Sequence, residues 1–545
     1  MPRQVTAKLT DALDKHVLGI LKENEKRIKE INTPFNPIKG EGCGDKRFLL
    51  FLPDFPIQKQ QLPVSMKKIP LVKMLIEFGS CKDVINELHK DIDEPYDLEE
   101  EMEQLVEQFT RIRMKHDPFF FFATFIYIKP KGGGIPFRFV LRRPQRRLLR
   151  WLEERRKKNR PIRLILLKAR QWGGSTVIQM YFLWLQLMWQ KGLNSLIVAQ
   201  VKDTAETIRG MFEEALKNFP TKFLYEMGEA FSENEPKFVG VGTSGNVKKV
   251  PQRFCKIKVG SMERPLSANG EDYNLVHLSE VGLWKKTDGK SPEEVVQNAT
   301  NGILYRPYTM IAYESTANGT GNFFHKEWLA AKKGQSQFEP FFVPWFEIYD
   351  MYHLDFESKK QKVEFAKWLY ENRNNTNTMS DREEPCTYLW KLWTLGAPLN
   401  WYMAERRKFT DHADMAAGYP TDDIEAFKHS GAKVFAEDKV DKFRKGCRAP
   451  KFIGDVYGDG YKGKKCMQNV RFCEDKQGQL WIWSKPETFD DCKVINRYLC
   501  LRPLLDDGRR QTIRGSPMVR THRYGLAGME GGSDSQILQR CSVGD

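Results

Sequence analysis

A chain of 545 residues with 41% hydrophobic and 29% charged side chains has apolar material for roughly two to four domains with full-sized cores. That balance excludes a disordered polyelectrolyte, and a formal charge of +16 favours a polyanionic partner, because a basic surface releases counterions on binding nucleic acid. Its ten cysteines stand without a C-x-x-C pair, the pattern of free thiols in a reducing compartment.

In chain order, MPRQVTAKLTDALDK lacks the apolar core of a signal peptide, so a cytoplasmic protein is expected. Leu9, Leu13, Val17 and Leu21 recur at helical spacing, and the acidic run from Asp91 to Glu107 suits an exposed helix face. Between them Pro34–Pro63, punctuated by proline and glycine, reads as irregular. Residues 1–116 therefore form a mostly helical region without evident chemistry. From Asp117 the composition turns aromatic, and a helix follows Pro144. There Gln145, Leu148, Leu149 and Leu152 share one face, which turns the Gln145 amide inward, either to read an adenine edge or as an ordinary glutamine at the helix boundary. Arg142, Arg143, Arg146, Arg147, Arg150, Arg155 and Arg156 lie on the other faces, either to grip phosphates or as a solvated basic surface.

The stretch RLILLKARQWGGST, Arg163–Thr176, runs from an apolar strand through a Gly-Gly turn into the apolar segment Val177–Trp189, which is too short for the ~20 residues of a membrane span. Strand, glycine turn, hydroxyl pair and helix are the layout of a phosphate-binding loop, whose N–H groups and helix dipole attract phosphate. Ser175 or Thr176 would supply a hydroxyl to Mg²⁺. The match to G-x-x-x-x-G-K-[ST] is partial, since Gly174 occupies the lysine position and Lys168 replaces the first glycine. A glycine turn opening a core helix is the plain structural alternative. Further strands follow at Ser195–Ala199, Phe254–Gly260 and Asn274–Leu278, with a helix over Asp203–Ala215, so a mostly parallel sheet covered by helices is expected. The strand in NLVHLSE ends at Glu280, where ATPases keep the carboxylate that polarises the attacking water. Ser279 stands where an Asp usually supports Mg²⁺. The strand in TMIAYESTANG then ends in small polar residues suited to sensing a γ-phosphate.

Together Pro144-Gln145, KARQWGGST, VHLSE, YESTANG and GYPTDDIEAFKHSGAKVF (Gly418–Phe435) resemble the large terminase subunit of tailed bacteriophages, the ATP-driven DNA-packaging motor. The resemblance covers roughly Asp117 to Tyr498. It implies an α/β P-loop ATPase domain over 117–430, and an RNase H-like nuclease domain that begins at 431–499. It implies ATP and Mg²⁺ at Gln145, Lys168, Ala169, Arg170, Gln171, Trp172, Gly173, Gly174, Ser175 and Thr176, with Ser175 and Ser279 at the metal. Glu280 is the implied catalytic carboxylate. Arg170, or else Lys168, takes the missing lysine's role, and Ser315, Thr316 and Ala317 match the motif that couples hydrolysis to DNA movement. Double-stranded DNA, a portal protein, a small terminase subunit and a homo-oligomeric ring docked at the procapsid in the host cytoplasm are the implied partners. A helicase-like ATPase outside packaging and a non-catalytic nucleic-acid-binding protein are the other classes open to the same residues.

Toward the C-terminus, Asn469–Cys473 and Gln479–Lys485 read as a hairpin about the turn Asp475–Gly478. The next strand should end in a first metal-binding Asp, the nuclease using two metals held by carboxylates. After residue 500 the chain has seven arginines and no lysine, and the strand pattern stops. Asp506 and Asp507 are the nearby carboxylates, so the nuclease domain reads as incomplete, its metals are not expected, and 500–545 reads as an atypical tail.

Overall fold

A computed structural model describes residues 2–501 apart from 43–44, 93, 131, 265–266, 268–271, 287–289, 372–392, 411, 429–448, 460–467, 477, 479, 483–486, 490–491 and 495–498. The expectations for Asp506, Asp507, the tail beyond 501 and the end of the Gly418–Phe435 stretch lie outside the described residues. The chain divides into two compact units, Met1–Lys433 and Val434–Asp545.

The first unit opens with α1 (Pro2–Asn32), whose Val17 and Leu21 are buried in the main core. Pro34–Pro63, expected to be irregular, instead contains an antiparallel ribbon of β1 (Arg47–Phe51) and β2 (Lys59–Pro63). Its alternation is hidden in the sequence because Leu49 and Phe51 stay exposed, as a two-stranded ribbon has one buried face to fill. Leu50 and Leu62 join a separate small core with residues of α2 (Pro70–Phe78), α3 (Cys81–Leu88) and α4 (Leu98–His116). The aromatic α5 (Pro118–Phe125), capped by Asp117, and the ribbon β3 (Tyr127–Ile128) with β4 (Phe137–Arg138) lead into α6 (Arg143–Lys157).

The strands of the main sheet are β5 (Ile162–Lys168), β6 (Ser195–Ala199), β7 (Val239–Val241), β8 (Val247–Val250), β9 (Cys255–Ser261), β10 (Leu275–Ser279), β11 (Met310–Ser315) and β12 (Glu339–Val343). Their order is β12-β5-β11-β10-β6-β9-β8-β7. The first six are parallel, and the last two add an antiparallel edge. The helices between them are α7 (Gly174–Trp184), α8 (Lys202–Lys217), α9 (Pro292–Thr300) and α10 (Phe323–Lys332). All of β5 is buried. Leu164 and Leu166 belong to one core together with Val177, Ile178 and Tyr181 of α7, whereas Ile165 and Leu167 belong to another together with Val295 of α9 and Phe324 and Trp328 of α10. Burial on both faces is why these strands read as unbroken apolar runs rather than alternating ones. The chain leaves β5 toward β6 and β9, then returns through β10 and β11 to β12. In an open α/β sheet with such a reversal, the carboxyl ends of the strands are the usual place for a ligand. No helix among the described residues is long and apolar enough to cross a membrane.

In the second unit β13 (Phe452–Tyr457) pairs antiparallel with both β14 (Arg471–Glu474) and β15 (Leu480–Ile482). A ribbon of β16 (Glu487–Phe489) and β17 (Cys492–Val494) follows, and β18 (Leu499–Leu501) adds to β15. The hairpin expected between Asn469–Cys473 and Gln479–Lys485 is thus not formed, as each segment pairs with β13. The Asp475 N–H donates to the Ile453 carbonyl at 2.9 Å, which keeps the chain on β13 through the turn residues instead of folding it back.

Candidate functional site

The phosphate-loop candidate follows β5 and is tied down by its own backbone. Ala169 N–H donates to the Val343 carbonyl at 2.9 Å and Arg170 N–H to the Gly418 carbonyl at 3.0 Å, while the Tyr352 hydroxyl donates to the Arg170 carbonyl. Gln171 takes a left-handed φ of 66°, unusual for a side-chain-bearing residue, and Gly173 one of 81°. A side chain on either glycine would collide: a Cβ on Gly173 would lie 2.6 Å from Gln145 Nε2, and one on Gly174 would lie 2.8 Å from Trp172 Cζ2 and 2.9 Å from Glu314 Oε1. There is no room for a lysine at 174, the position where phosphate loops usually carry it.

Gln145 is buried as its helical spacing predicts. Its Nε2 donates to the Trp172 carbonyl at 3.0 Å and its Oε1 accepts the Arg142 N–H at 2.8 Å, so the amide fastens the helix start to the loop. Six of the seven arginines of this helix region are engaged with protein groups rather than forming a free basic face. Arg146 donates to the carbonyls of Ile31, Thr33 and Leu141. Arg142, Arg147, Arg150, Arg155 and Arg156 pair with Asp350, Glu347, Asp45, Glu339 and Glu153.

The strand ends bring together one lysine and two glutamates. Lys168 Nζ lies 2.9 Å from Glu280 Oε1 and 3.4 Å from Glu314 Oε1. Burial alone would lower the lysine's pKa, but the two carboxylates reverse that and raise it. Glu280 follows β10 directly with a left-handed φ of 53°. Such a conformation costs on the order of 1–3 kcal/mol and persists where surrounding contacts enforce it. Its Oε2 accepts the Thr316 N–H at 3.2 Å and lies 3.4 Å from Ser315 Oγ. Ser315 Oγ also accepts the Gly282 N–H at 2.9 Å, and Asn318 Nδ2 donates to the Gly282 carbonyl at 3.0 Å. The residues after β11 are therefore hydrogen-bonded to the turn that carries Glu280. Ala317 is buried in the same core as Phe324.

Glu314 on β11 is a member of the site that sequence reasoning misses. Fully buried, it accepts from Ser175 Oγ at 2.9 Å through Oε1, and its Oε2 lies 2.6 Å from His277 Nε2. His277 Nδ1 in turn meets Gln179 Nε2 at 2.9 Å. Burial would raise the Glu314 pKa, but Lys168 and the His277 and Ser175 hydrogen bonds bring it down to about 2. The sequence does hold a signal for this network: His277 and Glu314 are ionisable residues inside otherwise apolar strands, costly there unless paired.

Of the two hydroxyls after the glycines, Ser175 reaches the carboxylates, whereas Thr176 Oγ1 turns to Met211 Sδ at 3.5 Å. Ser279 is buried, pairs across the sheet with Glu314, and its carbonyl accepts from Trp284 Nε1. Arg170 is exposed, and a Cβ on Gly418 would lie 3.3 Å from its Nε. The fold and site thus define a doubly wound α/β protein with a lysine–carboxylate cluster at its strand ends, facing the N-terminus of α7.

Among solved structures, the chain is similar to large terminases of phages. It matches the ATPase domain of the Thermus phage P74-26 large terminase at 18% identity and TM-score 0.23, covering 41% of this chain and 86% of that one. The HK97 bacteriophage large terminase matches at 14% identity and TM-score 0.33, over 49% of this chain and 54% of that one. The large terminase of a further thermophilic bacteriophage, solved in complex with ATP-gamma-S, matches at 10% identity and TM-score 0.26, over 43% of this chain and 49% of that one. The chain thus spans about half the length of the last two proteins. No protein-family model and no curated protein matches it.

Proposed function

We propose that this chain is a large terminase subunit, an ATPase whose hydrolysis cycle drives double-stranded DNA into a viral procapsid. The observation that carries the reading is the convergence of Lys168, Ser175, Glu280 and the Ser315–Thr316 backbone at the carboxyl ends of three parallel strands. Supporting it is the order of the motifs that resemble that family. In this reading Lys168–Thr176 form the nucleotide loop, and N–H groups of the first turn of α7, lacking intrahelical partners as at every helix start, face the phosphates. Gln145 anchors the loop. Exposed Arg170 supplies the cation for the phosphates, because Lys168 is already committed to two carboxylates. Glu280 orients the attacking water as general base. Ser315, Thr316 and Ala317 carry the state of that carboxylate to the neighbouring strand.

Among the described residues no group of three His, Cys, Asp or Glu side chains is arranged to hold a metal ion. Mg²⁺ normally arrives on the phosphates and takes one or two protein oxygens, and the Ser175 hydroxyl beside a carboxylate oxygen suits that use. When bound it neutralises phosphate charge. The portal protein, small terminase subunit and ring assembly follow from the resemblance alone, and no nuclease activity is proposed for this chain, whose nuclease domain reads as incomplete. The test is phosphate release by the purified chain with Mg²⁺, with and without linear duplex DNA. Turnover that DNA stimulates is expected, and no binding of ATP at millimolar concentration would sink the reading.

A further inference from the structure

We infer that Glu314, on the strand next to the one that ends in Glu280, supplies the carboxylate that supports Mg²⁺ at the nucleotide site in place of the uncharged Ser279. The inference rests on the nucleotide reading above. In phosphate-loop ATPases the loop hydroxyl and a strand-tip Asp hold the ion together. Here the residue before Glu280 is a serine and leaves that position without charge. Ser279 pairs across the sheet with Glu314, so the missing charge reappears at the same level, one strand nearer the loop.

Three observations fit this role. Ser175 Oγ, the hydroxyl expected at the metal, donates to Glu314 Oε1 at 2.9 Å. The other oxygen is fixed by His277 Nε2 at 2.6 Å, and the imidazole by Gln179 Nε2 at 2.9 Å. Orienting partners of this kind are what metal-binding carboxylates carry behind them. Finally, Glu314 is more than Lys168 needs as a counter-ion, since Glu280 already sits 2.9 Å from the ammonium. Lys168 is shared between two carboxylates, which leaves the cluster with more negative than positive charge for a divalent cation to balance.

The experiment measures the affinity of the full chain for a fluorescent ATP analogue with Mg²⁺ and with EDTA. The readout is the ratio of the two, alongside a thermal melt. The parent should bind at least ten-fold tighter with Mg²⁺. Glu314→Gln should bind within about three-fold of the parent in EDTA and lose most of the Mg²⁺ effect. Ser279→Asp/Glu314→Gln, which returns a carboxylate to the paired position, should regain it. A merely structural Glu314 would lower the melting temperature and leave the ratio unchanged, and that result overturns the inference while the nucleotide reading stands. If Glu314→Gln does not fold, the folded double variant decides: a Mg²⁺ effect supports the role and its absence overturns it. A parent that binds no analogue in either buffer overturns the nucleotide reading, and this inference with it.

Discussion

Lys168 Nζ stands 2.9 Å from Glu280 Oε1 and 3.4 Å from Glu314 Oε1, so one buried cation serves two carboxylates on two different strands. The lysine that a phosphate loop usually places before its hydroxyl is absent, and Gly174 in that position is closed in by Trp172 and Glu314. Positive charge instead enters from the end of β5, and it is neutralised inside the protein. The loop's other cation, Arg170, remains exposed. A buried, paired cation and an exposed one thus stand two positions apart.

That division predicts different failures for the two alanine variants. Lys168→Ala leaves Glu314 buried without its cation, and breaking a buried pair costs about 3–5 kcal/mol. Urea denaturation should show a loss of that order. Arg170→Ala should leave the denaturation curve within about 0.5 kcal/mol of the parent and weaken ATP-analogue binding, since one charge-assisted contact is worth about 1.5–3 kcal/mol. Unchanged analogue affinity in Arg170→Ala would remove that residue from the phosphates.

Glu280→Gln should separate binding from chemistry. The amide keeps the volume and still accepts the Thr316 N–H, but it cannot take a proton from water. Binding of the ATP analogue should persist while phosphate release falls by roughly 10²-fold or more. Turnover at the parent rate would assign the general base elsewhere.

Gly174 offers a steric test. A Cβ there would press on Trp172 Cζ2 and Glu314 Oε1, at 2.8 and 2.9 Å, and overpacking of this kind costs about 1–3 kcal/mol. Gly174→Ala should therefore lower the melting temperature and reduce analogue binding. Gly174→Lys, which restores the common loop pattern on paper, should do worse rather than rescue Lys168→Ala. Rescue would mean the loop has a second conformation with room for the lysine.

The sheet is legible in the sequence because its strands are buried on both faces. Ile162–Lys168 and Ser195–Ala199 read as apolar runs for the reason that helices cover both sides of them. Glu280 is legible as the first charge after such a run. Glu314 is not, because it sits within MIAYES and its meaning depends on cross-strand register with β10 and on Ser175 and Lys168 from elsewhere in the chain. Register is not encoded in the spacing of one segment. The arginines after Leu141 are ambiguous for a related reason: a guanidinium facing the protein and one facing solvent occupy the same helical positions, and the carbonyls that engage Arg146 come from residues 31, 33 and 141.

Acid should expose the Glu314 network. Its carboxyl titrates at about 2 in the folded chain, against an ordinary value of 4.5, so the folded state binds the proton less readily than the unfolded one. The resulting stability is present above about pH 4.5 and is lost as pH falls from there toward 2. A difference of this size amounts to about 3 kcal/mol. Urea denaturation of the parent and of Glu314→Gln between pH 6 and pH 3 isolates the contribution, because every other titrating group is common to both. The gap between the two proteins should be widest at pH 6 and should narrow steadily below pH 4.5. A gap that stays constant across the series would mean that Glu314 takes up its proton alike in the folded and unfolded chains, so that Lys168 and His277 do not hold its carboxyl down.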